Sequence, residues 1–179
     1  MRERRDPLPS GRLPLPKEKV FVHFFNFRRC NFNKIQIIMN LFMAYQQAFE
    51  SSIEDFNQGQ SPQNLYQPIG YVMDLGGKRI RPFVTLMSGE AFEVSMKEAM
   101  GAAMAVEVFH NFTLMHDDIM DKASLRRGRA TVHEKWDVNT AILSGDAMLI
   151  KAYQCLETYP TDVFQKLIQL LSKTAIEVC

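Results

Sequence analysis

The run from Met96 to Asp121 constrains this chain more than any other. Ala102 to Met115 is mostly apolar, holds no glycine or proline, and predicts a long helix that ends in Asp117-Asp118-Ile119-Met120-Asp121. On a helix, Asp117 and Asp121 are one turn apart and share a face. Three carboxylates crowded there repel one another, and a helix C-terminus disfavours negative charge, so the cluster costs stability unless a cation neutralises it. Carboxylates are hard oxygen donors that suit Mg²⁺, an ion commonly held by one or two of them together with substrate phosphates. Arg126 and Arg127 follow closely and offer planar cations for bidentate phosphate binding. An acidic cluster beside twin arginines points to a metal–diphosphate site.

The remainder reads as consecutive helices. Met39 to Phe56 carries apolar residues at helical spacing. Ser61-Pro62 predicts an N-cap and first position for a helix to about Leu75, which Gly76-Gly77 ends. Pro82 predicts the start of a third helix, to about Val94. Ser95 with Glu98 forms a capping-box pattern for the long helix. Lys122 to Ala130 reads as a basic loop, and Thr131 with Glu134 as a second box. Asn139 to Thr158 and Thr161 onward complete the series. No β-alternation of useful length occurs, so the fold class expected is all-α. Trp136 and the methionines 96, 100 and 104 are expected to pack rather than react, and Gly145 to mark a close helix approach.

Charge is unevenly placed. Residues 1–38 hold nine Lys/Arg against three Asp/Glu and four of the eight prolines, whereas residues 39–179 hold twelve against seventeen. The first 38 residues are therefore expected to be a basic extension outside the fold, and residues 39–179 the folded body. The net acidity of that body argues against nucleic-acid binding. Cys30, Cys155 and Cys179 are far apart and odd in number, which fits reduced cytoplasmic thiols better than a disulfide framework or a zinc site. No apolar run reaches the roughly 20 residues of a membrane span. Phe21, Phe24, Phe25 and Phe27 beside Arg28 and Arg29 leave a membrane-surface role as a minor alternative.

Gly76-Gly77-Lys78-Arg79-Ile80-Arg81-Pro82 is the second informative segment. Its glycines permit a tight turn, the following helix start offers free N–H groups to an anion, and Lys78 and Arg81 add formal charge. It is not a Walker A loop, since Arg79 stands where Ser or Thr is required. Taken alone, it reads equally as a plain connection with solvated basic residues, as Arg126–Arg129 reads as a solvated turn and His110 as a core histidine. His116-Asp117 also admits an HD-type phosphohydrolase reading, which would need metal ligands on further helices. Together, two basic elements flanking one acidic cluster suit two diphosphates held side by side, one through metal and one by cations.

These motifs resemble those of the trans-polyprenyl diphosphate synthases, the farnesyl and geranylgeranyl diphosphate synthase family. GGKRIRP at 76–82, DDxxD at 117–121 and LRRGRATVH at 125–133 stand in that family's order, and NTAILSGDAML at 139–149 and KTAIEVC at 173–179 look like its following helices. The resemblance implies an isoprenoid synthase-type helical bundle around a deep cavity, usually a homodimer. It implies that Asp117 and Asp121 ligate Mg²⁺ on an allylic diphosphate, with Asp118 in support and Arg126 on that same diphosphate. It further implies that Lys78, Arg81, His110 and Arg127 hold isopentenyl diphosphate. The family reaction ionises the allylic substrate, lets the isopentenyl double bond attack, and ends in proton loss; no Ser or Cys nucleophile is needed.

The growing tail would then run along the helix past Thr113, Phe112 and Phe109. Phe112 lies about 7.5 Å and Phe109 about 12 Å upstream of Asp117 at 1.5 Å per residue, so bulky rings there predict a fifteen- or twenty-carbon product. The family's second aspartate-rich motif does not occur by Cys179. This length is accordingly expected to be a fragment that binds Mg²⁺–diphosphate weakly and does not turn over. Two alternatives stand beside that reading. One is a non-catalytic subunit that pairs with a full-length synthase. The other is a class I terpene cyclase, which shares DDxxD but needs no isopentenyl site.

Overall fold

The computed structural model describes residues 32–178. Among these residues are seven helices, with one short β-hairpin between the fourth and the fifth. α1 spans Phe32–Asn57, seven residues ahead of the start expected at Met39, because the apolar spacing continues upstream. The aromatic membrane-surface segment at 21–29 and most of the basic extension lie outside the described residues. Tyr45, Phe49 and Ile53 recur every fourth residue on the buried face of α1. Among the described residues no helix is long and apolar enough to cross a membrane.

Helix α2, Gln63–Met73, buries Ile69, Val72 and Met73. Its N-cap is Pro62 rather than Ser61, and the Pro62 carbonyl accepts the Leu65 and Tyr66 amides. α3, Ile80–Ala91, has Arg79 as its N-cap, which puts Pro82 at the third position and not the first. That displacement is harmless, because the first four N–H groups of a helix have no intrahelical partner for a proline to remove.

Helix α4, Met96–Met120, carries the expected capping box, with Ser95 and Glu98 satisfying each other's backbone amides. It packs along α6 and α3 and presents Ala99, Ala103, Met104, Val108 and Met115 to the core. A Cβ on Gly101 would come 2.7 Å from the Cys155 carbonyl, so glycine is what lets α4 and the end of α6 meet. Tyr159 fastens the same crossing: its hydroxyl donates to the Glu98 carbonyl at 2.6 Å and accepts the Ala102 amide at 3.0 Å.

The expected basic loop contains structure. β1, Leu125–Arg126, pairs antiparallel with β2, Arg129–Ala130. Arg127 and Gly128 make its two-residue turn with φ of 53° and 77°, the double left-handed geometry that hairpins of this length favour. α5, Val132–Lys135, starts after Thr131, but the second capping box does not form. The Thr131 hydroxyl donates instead to Ala123 at 2.7 Å, closing the loop that carries the hairpin. α6, Val138–Gln154, is capped by Asp137, which accepts the Thr140 amide. α7, Thr161–Val178, sets Leu171 and Ala175 against the core and has no fully buried residue.

A buried ionic knot joins four of these elements. The Arg79 guanidinium donates to Glu107 of α4 at 2.7 Å and to the last carbonyl of α2, Met73, at 2.6 Å, and reaches Glu50 of α1 at 3.4 Å. Asn111 completes it by donating to the Glu107 side chain and carbonyl. Removing one partner strands a buried charge, so Arg79→Ala is expected to lower the unfolding free energy by about 3–5 kcal/mol. Adding Glu107→Leu should recover much of that loss; urea unfolding of the single and double variants measures both.

Candidate active site

The three aspartates end α4 in three different environments. Asp118 is buried and grips Arg126: Nε donates to its two oxygens at 3.0 and 2.8 Å, and Nη2 adds a bond of 2.7 Å. This fork is the principal reason Arg126 is held above the ordinary arginine value; burial opposes it, and the Asp118, Asp117 and Asp121 charges reinforce it. Asp118 also accepts the Ala123 amide on its carbonyl, so it anchors the hairpin. Asp117 lines a cavity, and Asp121 is the exposed C-cap whose amide donates to the Asp117 carbonyl at 2.8 Å. Like-charge repulsion is thereby relieved at one carboxylate, and two face solvent or the cavity.

The cavity has a volume of about 820 Å³ and runs beside α4. Phe109, Phe112, Thr113 and His116 form its α4 wall, Arg81 and Thr85 come from α3, and Leu167 and Leu171 come from α7. Its polar contributors include Arg81, His110 and Asp117; the remainder is chiefly apolar. Phe109, Phe112 and Thr113, expected from the sequence to line a tail pocket, thus border the same space as Asp117. Phe109 and Phe112 pack tilted with centroids 5.6 Å apart, and Phe112 meets His116 edge-to-face at 4.8 Å.

The basic residues converge less uniformly. His110 is half-buried, and burial together with the Arg81 charge lowers its pKa; Glu107 opposes them, while Arg127 and Arg126 add to the lowering. One imidazole thus feels both basic elements. Arg127 is itself lowered, by burial first and then by Arg79. Lys78 is exposed and stands apart: it borders a separate void of about 10 Å³ with Tyr45 and Phe49, not the large cavity.

Several residues of consequence escaped sequence reasoning. In the sequence Arg79 stands out only as a mismatch to a nucleotide loop, yet it is the buried tie of that segment. The signal was Glu107, a lone carboxylate in an otherwise apolar helical run, which demanded a cation. His116 lines the cavity. Its Nε2 lies 3.3 Å from the Ile142 carbonyl and 3.8 Å from Asp146, and a Cβ on Gly145 would collide with its ring. Gly145 thus marks a close approach of α4 and α6. Among the described residues no group of three or more His, Cys, Asp or Glu is arranged to hold a metal, so the HD-type reading lacks its further ligands. Burial pushes the Cys155 thiol up to about 11, which leaves it unreactive.

A helical bundle with an apolar cavity, carboxylates at one helix end and guanidinium groups nearby describes an isoprenoid synthase-type fold. The polyprenyl synthetase family model matches residues 62–179, and the chain belongs to that family. It is 42% identical over 133 residues to a geranylgeranyl diphosphate synthase of Methanosarcina mazei, covering 73% of this chain and 41% of that one. A crystal structure of a geranylgeranyl pyrophosphate synthase superposes with a TM-score of 0.75 at 54% identity, over 77% of this chain and 42% of the other. A geranyltransferase from Helicobacter pylori, solved with magnesium and isoprenyl diphosphate, aligns with a TM-score of 0.65 at 28% identity, over 76% of this chain and 49% of its own. The chain spans about two-fifths of the length of the curated relatives it matches.

His110 yields a pH prediction. Its folded pKa lies below the unfolded value of about 6.5, so the unfolded chain takes up the proton first. The stability it contributes is present above about pH 6.5 and is lost as pH falls toward the depressed folded value. The His110 imidazole shifts should titrate below about pH 6.5, and His110→Gln should flatten the acid side of the stability profile below that pH.

Proposed function

We propose that the chain forms the aspartate-rich, diphosphate-binding part of a prenyltransferase. The reaction is condensation of isopentenyl diphosphate with an allylic diphosphate to a fifteen- to twenty-carbon polyprenyl diphosphate. The observation that carries this reading is the single cavity of about 820 Å³ that Asp117, Arg81 and His110 share with Phe109, Phe112 and Thr113. It puts an anion-binding chemistry beside space for an isoprenoid tail. The family membership and the relatives' names support it.

Asp117 and Asp121 are two exposed or cavity-facing carboxylates one helical turn apart, which fits an ion completed by substrate phosphates and not an all-protein cage. Magnesium, when bound, neutralises diphosphate charge and so assists its departure. Asp117 and Asp121 orient the allylic diphosphate at the end of α4. Asp118 keeps Arg126 close to it. Arg81, His110, Arg127 and the exposed Lys78 hold the isopentenyl diphosphate. The apolar wall excludes water from the cationic centre left on the allyl group, so the isopentenyl double bond is the nucleophile that reaches it. Phe112 and Phe109 limit the tail. Ile142, Leu143 and Ile150 are exposed on α6 and suit pairing with a second copy, and a cytoplasmic setting fits a reduced Cys155.

A second reading is a non-catalytic subunit that pairs with another synthase chain. One observation favours it: Leu170, Ile176 and Val178 of α7 remain exposed. Saturable binding of labelled isopentenyl diphosphate to the chain favours the first reading, a changed incorporation rate of a full-length relative without such binding favours the second, and a terpene cyclase shows neither.

Calorimetry with geranyl diphosphate tests the site. Binding is expected to require Mg²⁺, and Asp117→Asn or Asp121→Asn to weaken it by about tenfold or more. Binding indifferent to chelator and to both substitutions would overturn the reading. The wild-type cavity should discriminate against allylic diphosphates longer than twenty carbons. Phe112→Ala combined with Phe109→Ala should admit them, by opening the space two rings occupy.

A further inference from the structure

Two segments far apart in sequence meet at one strained contact. Gly77 has φ of 146°, a conformation that residues with a side chain rarely adopt. Arg127 sits at the tip of the hairpin with φ of 53°, where glycine or asparagine is the ordinary choice. A Cβ on Gly77 would lie 2.8 Å from Arg127 Nη1 and 2.9 Å from both Cζ and Nη2. Near-equal distances to three guanidinium atoms mean that the plane of the group lies over the Gly77 backbone. Its neighbour Gly76 also has positive φ, at 72°, but a Cβ there would meet nothing within 4 Å. Outliers of this kind cluster where function imposes them. A long cation in a turn position that prefers a small residue, laid on a backbone position that only glycine tolerates, is such a case.

We infer that Gly77 is a positioning residue: its missing side chain makes a flat seat that fixes the Arg127 guanidinium, so that the Gly76–Pro82 loop and the 125–130 hairpin act as one diphosphate cradle. Both sides of the seat are braced. The Arg79 knot holds the loop to α4, and the Asp118–Arg126 fork holds the hairpin to the end of the same helix. The Tyr71 hydroxyl donates to the Ala130 carbonyl at 2.7 Å, and Arg129 lies over the Tyr71 ring at 4.7 Å, which pins the second strand to α2. A guanidinium resting on a braced backbone has little rotamer freedom to lose on binding.

The inference rests on the diphosphate-binding reading above, and a double-mutant cycle keeps the two apart. Inorganic pyrophosphate is titrated into the 179-residue chain and into Gly77→Ala, Arg127→Ala, the double variant and Gly76→Ala, with helical circular dichroism confirming that each is folded. Arg127→Ala and Gly77→Ala are each expected to weaken pyrophosphate by about tenfold, the scale of a charged hydrogen bond. Gly77→Ala should cost clearly less once Arg127 is gone, leaving only its backbone strain, and Gly76→Ala should stay within about twofold. Additive losses, or equal losses at Gly76 and Gly77, would overturn the seat. If Arg127→Ala binds like the unchanged chain, the diphosphate reading itself fails. Should Gly77→Ala not fold, the unchanged chain still decides. A nuclear Overhauser contact between Gly77 Hα and the Arg127 guanidinium protons supports the inference, and its absence refutes it.

Discussion

A guanidinium removed from water is tolerable only when several acceptors surround it, and Arg79 has found them on three elements at once. Glu107 on α4, the Met73 carbonyl ending α2 and Glu50 on α1 converge on the N-cap of α3. The charge compensation cannot be satisfied unless those helices meet at that point. It therefore acts as a geometric specification as well as an interaction. Everything basic in the loop inherits its position from this knot. Gly77 precedes Arg79 by two residues and Arg81 follows it by two, so the seat and the cavity-facing cation diverge from one fixed centre.

The acidic end of α4 is organised by the opposite problem. Aspartates at a helix C-terminus face an unfavourable dipole as well as one another. The structure relieves part of this internally, by spending Arg126 on Asp118, and among the described residues gives Asp117 and Asp121 no such partner. A fully neutralised cluster would have no remaining use for a divalent cation. A wholly unneutralised one would splay the helix end. On the function proposed above, the division of labour leaves a donor set suited to an ion that takes its other ligands from phosphate. The Asp118–Arg126 fork also turns a nominal loop into a placed hairpin, which carries Arg127 toward Gly77.

Much of this was legible in residue order. Helical periodicity, the Ser95–Glu98 box and the uninterrupted apolar run gave α4 to within a residue at each end, because those signals are local and the helix is long. The cavity residues Phe109, Phe112 and Thr113 followed from the direction of a helix leading away from Asp117. Expectations failed where a local signal met a tertiary competitor. Thr131 has a capping sequence but gives its hydroxyl to Ala123. Pro82 stands at the third position of α3 and not the first, because Arg79 took the N-cap to reach its buried partners. Met39 looked like a beginning because the charge composition shifts there, yet backbone hydrogen bonding does not follow composition.

Sequence alone determined that the chain is helical, where its longest helix runs, and which carboxylates and cations are available, since each depends on neighbours within a turn or on residue chemistry itself. Tertiary structure alone decided how those charges are divided. It assigned Asp118 to Arg126, Glu107 to Arg79 and Arg127 to the face of Gly77, and it left Lys78 at the edge. Pairing between charges dozens of residues apart is a matter of distance and desolvation, and neither exists until the helices have packed.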